Sequence, residues 1–225
     1  PPGSGKTLVG LLLAMRRGSR ALVLAPTTTI RSQWAATARS LASGTWGDAA
    51  ADPCAGAVSE DPGSPADLTV LTYQMLSVLE TSNPFDTLAE HAWRDELVAG
   101  GRDEGDAEVW LAELAESNRD AYRKGLRRRG RRLRRDVVRA DPSQLAAALH
   151  PNARALIDRL VDHGVETVVL DECHHLLDHW AIVVHYLAGR VRERGAEPLL
   201  VGLTATLPSL EDQEEYENYT GLLGE

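Results

Sequence analysis

Pro2-Gly3-Ser4-Gly5-Lys6-Thr7 leads without a break into Leu8-Val9-Gly10-Leu11-Leu12-Leu13, a glycine-rich turn opening an apolar helix. A small backbone lets successive N–H groups converge on the oxygens of a phosphate. The helix that follows aims its partially positive N-terminus at the same anion. A lysine placed next can reach β- and γ-phosphates, and the hydroxyl after it can ligate Mg²⁺. Pro2, Gly3, Ser4, Gly5, Lys6 and Thr7 are therefore the candidate ATP-binding residues, with Lys6 also a candidate catalytic group and Thr7 a candidate metal ligand. The segment matches the end of a G-x-x-x-x-G-K-[ST] loop whose first glycine would precede Pro1. An ordinary glycine-rich turn before a helix reads the same way, so a second motif has to decide.

Val168-Val169-Leu170-Asp171-Glu172-Cys173-His174-His175 supplies it. An apolar strand ends on two carboxylates, and in open α/β sheets ligands bind beyond the carboxyl ends of strands. Asp171 can hold Mg²⁺, and Glu172 can orient or deprotonate the water that attacks a γ-phosphate. Cys173, His174, His175 and His179 are zinc-ligand types, but adjacent ligands on a turn point apart and no second Cys pair completes a tetrahedral set. A plain cap for the next helix is the other reading of Asp171 and Glu172.

Four continuous apolar runs read as strands: Arg20–Ala25, Leu68–Thr72, Thr167–Asp171 and Leu199–Leu203. Continuous rather than alternating runs are the mark of strands covered on both faces. Helical patterns lie between them, over Lys6–Arg17, Thr28–Ala42, Pro151–His163 and His179–Arg194, with Gly164 as a C′ residue. Lys6–Arg17 is apolar nearly all round and is expected to be largely buried. The alternation predicts an α/β fold, a mostly parallel doubly wound sheet with helices on both faces. Residues 52–67, with three prolines, read as a loop. Residues 83–150 break the rhythm and read as a charged helical insertion. A phosphate loop normally follows a central strand, and none is present ahead of Pro1. The sheet is therefore expected to have a gap at its middle, and the chain to be a poorly stable piece of something longer.

Composition bounds the partners. Net charge is −9 over 225 residues, yet residues 123–139 alone carry +9, from nine Arg, one Lys and one Asp, which leaves −18 for the rest. No run approaches the ~20 apolar residues of a membrane span. Two cysteines, Cys54 and Cys173, read as reduced, which with no visible signal peptide predicts a cytoplasmic protein.

With both motifs in place, further segments resemble the superfamily-2 DEAD/DEAH-box helicases, nearest the branch of type III restriction subunits and repair translocases. Pro26-Thr27-Thr28-Thr29-Ile30-Arg31-Ser32-Gln33-Trp34 looks like motif Ia, with Ile30 in place of Leu. Thr72-Tyr73-Gln74 looks like motif Ib, Asp171-Glu172-Cys173-His174 like the D-E-x-H box, and Gly202-Leu203-Thr204-Ala205-Thr206 like motif III. Lys6 and Asp171 stand 165 positions apart; setting aside the 68-residue insertion leaves 97, near the separation the resemblance implies. It covers residues 1–82 and 151–225, and identifies the whole chain as the first RecA-like motor domain, of P-loop NTPase type.

The resemblance implies that Pro26, Thr27, Thr28 and Thr72 grip phosphates of a nucleic-acid strand, DNA more than RNA. Such contacts position a strand without reading its sequence. It implies that Thr204, Thr206 and His174 couple that surface to the ATP site. It also implies closing arginines from a second RecA-like domain of the same polypeptide. Such arginines are worth ~10³–10⁵ in rate in related phosphoryl transfers, so residues 1–225 by themselves are expected to bind ATP·Mg²⁺ but hydrolyse little. A P-loop ATPase unconnected with strands, or a strand-binding module without unwinding, is the alternative. Three readings stay open for the Arg-rich stretch: nucleic-acid contact, a hairpin paired internally with the acidic segment before it, or docking of a partner protein.

Overall fold

Leu22, Val23, Leu24 and Ala25 are each at most 1 % exposed, which requires a strand with both faces covered. In the computed structural model, which describes residues 5–42, 57–76, 84–137, 140–173, 179–204 and Leu223, this run is strand β1, Arg20–Ala25. With β2 (Val58–Ser59), β3 (Leu68–Thr72), β4 (Val165–Asp171) and β5 (Leu199–Leu203) it forms a sheet in the order β2-β3-β1-β4-β5, parallel throughout.

Alternate side chains of the strands enter two cores. Leu22, Leu24, Leu71, Val168 and Leu170 pack under α8 (Pro151–Asp162), α9 (His179–Glu193) and the short helices α3 (Tyr73–Leu76) and α7 (Pro142–Ala146). Val23, Ala25, Val70 and Val169 pack on the other side under α1 (Lys6–Arg17) and α2 (Thr28–Ala42). Helices thus cover both faces, as the sequence predicts. The strands and helices read from the apolar pattern recur with ends shifted by at most two residues. Gly164, at φ 94°, closes α8 in the left-handed conformation expected of a C′ residue, its N–H bonded to Val161 O.

Three expectations need correction. The described strands pair without a gap, and the less covered strands are those at the two edges: both residues of β2 and four of the five of β5 are half-buried. Helix α1 is buried only along Gly10, Leu11 and Ala14, while Val9, Leu12 and Leu13 are 41–50 % exposed. A helix lying on β4 and β5 can bury only one stripe, and no described residue covers the other. Within the loop expected at residues 52–67, Val58 and Ser59 pair with Leu68 and Thr69 as β2.

The insertion is helical: α4 (Pro84–Ala99), α5 (Glu104–Ser117) and α6 (Arg119–Asp136) surround a separate core of Ala89, Trp93, Leu111 and Leu126. Phe85, Leu88 and Val137 join the core beneath the sheet, so both ends of the bundle are tied to the α/β body. Cys173 is buried and free; Cys54 lies outside the described residues. No described helix is long and apolar enough to cross a membrane.

Candidate nucleotide site

Gly5 takes φ 74°, which glycine adopts without penalty, and caps α1 with no side-chain hydrogen bond and no acid in the first turn. Among the described residues nothing beyond its chain neighbours lies within 4 Å of where a Cβ on Gly5 would be. Lys6, the first residue of α1, sends Nζ to 2.5 Å from Glu172 Oε1. Residues 166 positions apart are thereby joined as the sequence requires. Pro2, Gly3 and Ser4 lie outside the described residues; Thr7 is half-buried in the first turn of α1.

The acidic pair stands where β4 ends. Asp171 is the last residue of the strand, in register with Leu203 of β5, and is 6 % exposed. Glu172 turns the chain at φ 52°, the one positive φ among the described non-glycine residues. The left-handed conformation costs roughly 1–2 kcal/mol outside glycine. It turns the chain out of the strand direction at the residue that meets Lys6.

Two further groups hold this turn. Trp34 of α2 donates from Nε1 to Asp171 Oδ2 at 2.8 Å, and Tyr73 of α3 donates its hydroxyl to the Asp171 carbonyl at 2.9 Å. Both are buried, and buried Trp and Tyr must place their polar hydrogen on a partner. That requirement was the signal for them in the sequence, since Trp34 closes the motif Ia segment and Tyr73 follows Thr72 in motif Ib. Tyr73 also packs edge-on against Trp180, with centroids 4.9 Å apart. Gly10 lets α1 close on this cluster: a Cβ there would lie 2.7 Å from the Trp34 ring and 3.0 Å from Leu203 Cδ1.

Burial pushes the Asp171 carboxyl above its ordinary value. The bond from Trp34 works against that rise, the Glu172 charge adds to it, and Lys6 opposes it. Burial is also the main reason that the Cys173 thiol is pushed up to about 11 and that Tyr73 is raised well beyond its normal range, with nearby carboxylate charge adding to both. The thiol is therefore un-ionised at neutral pH and no nucleophile.

The proposed strand contacts are placed less openly. Thr27 and Thr28 are exposed, and Pro26 is half-buried, just past the end of β1. Thr27 Oγ1 accepts the Ile30 N–H at 3.2 Å, an N-terminal cap for α2. Thr72 is 2 % exposed at the end of β3, so its hydroxyl does not face solvent here. Thr204 follows Leu203, beside the Asp171–Glu172 turn; Thr206 and His174 lie outside the described residues.

The residues present fit Mg²⁺ and a phosphate chain. Asp171 and Thr7 offer hard oxygen donors. Mg²⁺ characteristically takes one or two protein oxygens and completes its shell with waters and substrate phosphates. Lys6 offers a cation to phosphates beside the left-handed turn at Gly5. Among the described residues no three His, Cys, Asp or Glu side chains converge as an all-protein metal cage.

The family model described as type III restriction enzyme, res subunit, matches residues 1–209. No curated protein and no solved structure matches the chain.

Proposed function

The chain belongs to the type III restriction enzyme res subunit family, a DEAD-like superfamily-2 helicase N-terminal domain of RecA-like fold, and from that membership we propose that it is the ATP-binding first motor domain of a helicase or translocase acting on DNA. The observation carrying the reading is the convergence of Lys6 and Glu172 at 2.5 Å beside the buried Asp171. DNA is favoured over RNA because the family is described by restriction.

In the proposed mechanism Gly5 and the first turn of α1 receive the β- and γ-phosphates on backbone N–H groups, and Lys6 adds its charge to them. Bound Mg²⁺ would neutralise charge on the transferring phosphoryl group. Asp171 and Thr7 would hold it, and Trp34 fixes the carboxylate rotamer of Asp171. Glu172 orients the attacking water and accepts its proton. As the phosphates arrive Lys6, 2.5 Å from Glu172 in their absence, divides its three N–H donors between that carboxylate and the phosphate oxygens. Thr27 and Thr28 contact the strand, and a second RecA-like domain supplies the closing arginines. On this reading residues 1–225 assayed by themselves hydrolyse ATP slowly.

The test is nucleotide binding and turnover across three variants. Lys6→Ala abolishes binding of a fluorescent ATP analogue, Asp171→Ala makes binding indifferent to Mg²⁺, and Glu172→Gln binds ATP but loses turnover by about 10²-fold or more. Binding unchanged in Lys6→Ala overturns the site. The burial of Thr72 and the capping role of Thr27 favour a second reading, a nucleotide-binding module without a strand grip. That reading predicts ATP turnover in the intact protein that DNA does not stimulate.

A further inference from the structure

Helix α6 is divided lengthwise. Leu126 and Arg129 are 8 % and 7 % exposed and Gly130 is buried, facing α4 and α5, with Leu133 partly buried on the same side. The opposite side carries two rows at i, i+4, i+8 spacing, Arg123-Arg127-Arg131 and Lys124-Arg128-Arg132, all exposed. The acidic helix α5 does fold back on α6, but the contact is apolar, through Leu111 and Leu126. Among the described residues the ion pairs of α6 are Arg129 with Glu96 of α4, and Arg132 with Asp136 one turn along the same helix. Among the described residues the acid of α5 that forms an ion pair, Glu108, takes Arg94 of α4. An internally paired hairpin therefore does not account for the outer rows.

Those rows have an electrostatic cost. Like charges at i, i+4 destabilise a helix by about 0.2–0.5 kcal/mol each, and among the described residues the ion pair that offsets the outer face is Arg132 with Asp136 at its end. Six cations lie along about 14 Å of helix, at 1.5 Å rise per residue, or one per roughly 2.3 Å. Duplex DNA presents one negative charge per about 1.7 Å of axis. The densities are close, and Arg suits phosphate by its forked donors.

We propose that the outward face of α6 is a phosphate-binding surface that holds the backbone of the DNA on which the motor works. The inference rests on the motor reading and adds a second contact surface to it. The face is tied to the motor, because α4 enters the main core at Phe85 and Leu88 and the chain returns to it at Val137. The contact is sequence-independent, since helix side chains in these rows meet phosphates rather than a chosen base.

The test compares the 225-residue chain with a variant carrying Arg127→Glu, Arg128→Glu, Arg131→Glu and Arg132→Glu. The probes are a single-stranded oligonucleotide, the same sequence as duplex, and polyglutamate, and affinity is followed between about 50 and 200 mM salt. The expected result is a plot of log affinity against log salt that is shallower by about 3–4 in the variant, with ATP-analogue binding unchanged. If reversal unfolds the bundle by circular dichroism, the corresponding Gln variant replaces it, with the same expected slope. An unchanged slope with DNA affinity still lowered by Thr27→Ala and Thr28→Ala overturns the surface and leaves the motor reading standing. Loss of DNA binding and ATP binding together in the unaltered chain overturns both. Polyglutamate bound as tightly as DNA by the unaltered chain overturns the assignment in favour of an acidic protein partner.

Discussion

Trp34 Nε1 donates to Asp171 Oδ2 at 2.8 Å across 137 positions of chain. The bond joins the helix that follows the proposed strand-gripping residues to the carboxylate proposed to hold Mg²⁺. Asp171 is raised by burial, and a buried carboxylate depends on each donor it has. Bonds to charged groups contribute about 1.5–3 kcal/mol. Trp34→Phe keeps most of the ring and removes the donor, so a stability loss of about 2–3 kcal/mol is expected in urea unfolding. If Trp34 is a positioning residue, the Mg²⁺ concentration needed for nucleotide binding also rises severalfold. A stability loss with an unchanged Mg²⁺ dependence would reduce Trp34 to core filler.

The charge on Asp171 is expected to oppose folding at neutral pH. Its folded-state pKa lies above the ordinary 3.8, so the neutral form is the one the fold prefers. The sign follows from linkage: stability from this group is fully present below pH 3.8 and is lost as pH rises through the raised value. Each unit of elevation corresponds to about 1.4 kcal/mol. Asp171→Asn removes the charge while keeping an acceptor for Trp34. It is expected to unfold at higher temperature than the unaltered chain at pH 7, by about 2–4 °C per kcal/mol for a chain of this size, and the advantage shrinks as pH falls toward 4. A variant that is less stable at pH 7 would show that Lys6 and Trp34 outweigh burial.

The strands and most helices were legible because continuous runs such as Leu22-Val23-Leu24 have one physical solution, a strand covered on both sides. The convergence of Lys6 and Glu172 was legible because the phosphate-binding reading of those residue types asks for it. The underside of the site was not. That Trp34 and Tyr73 clasp Asp171 depends on how α2 and α3 leave their strands, and pattern along the chain carries only their need for partners. The exposure of Val9, Leu12 and Leu13 was misjudged because apolar content says what a helix can bury, while the neighbours decide what it does bury. The outer charges of α6 were visible from the start, but separating them from Arg129 required the contact with Trp93 and Glu96.

That contact gives the third prediction. Gly125 of α6 faces Trp93, and a Cβ there would lie 2.1 Å from the Trp93 ring. Ring movement is resisted, because Trp93 is 8 % exposed, stacks on Tyr122 with centroids 6.0 Å apart, and carries Arg129 at 4.1 Å from its centroid. Alanine in place of a helical glycine gains about 0.8–1 kcal/mol of helix propensity, whereas overpacking a fitted core costs typically 1–3 kcal/mol. The clash is expected to win, with Gly125→Ala destabilising by about 1–2 kcal/mol. Because the three helices have a core of their own, the loss should appear as faster amide exchange confined to residues 84–136, with the strands of the sheet protected as before. Loosening that spreads equally into β1 and β4 would mean that the bundle and the sheet unfold as one unit.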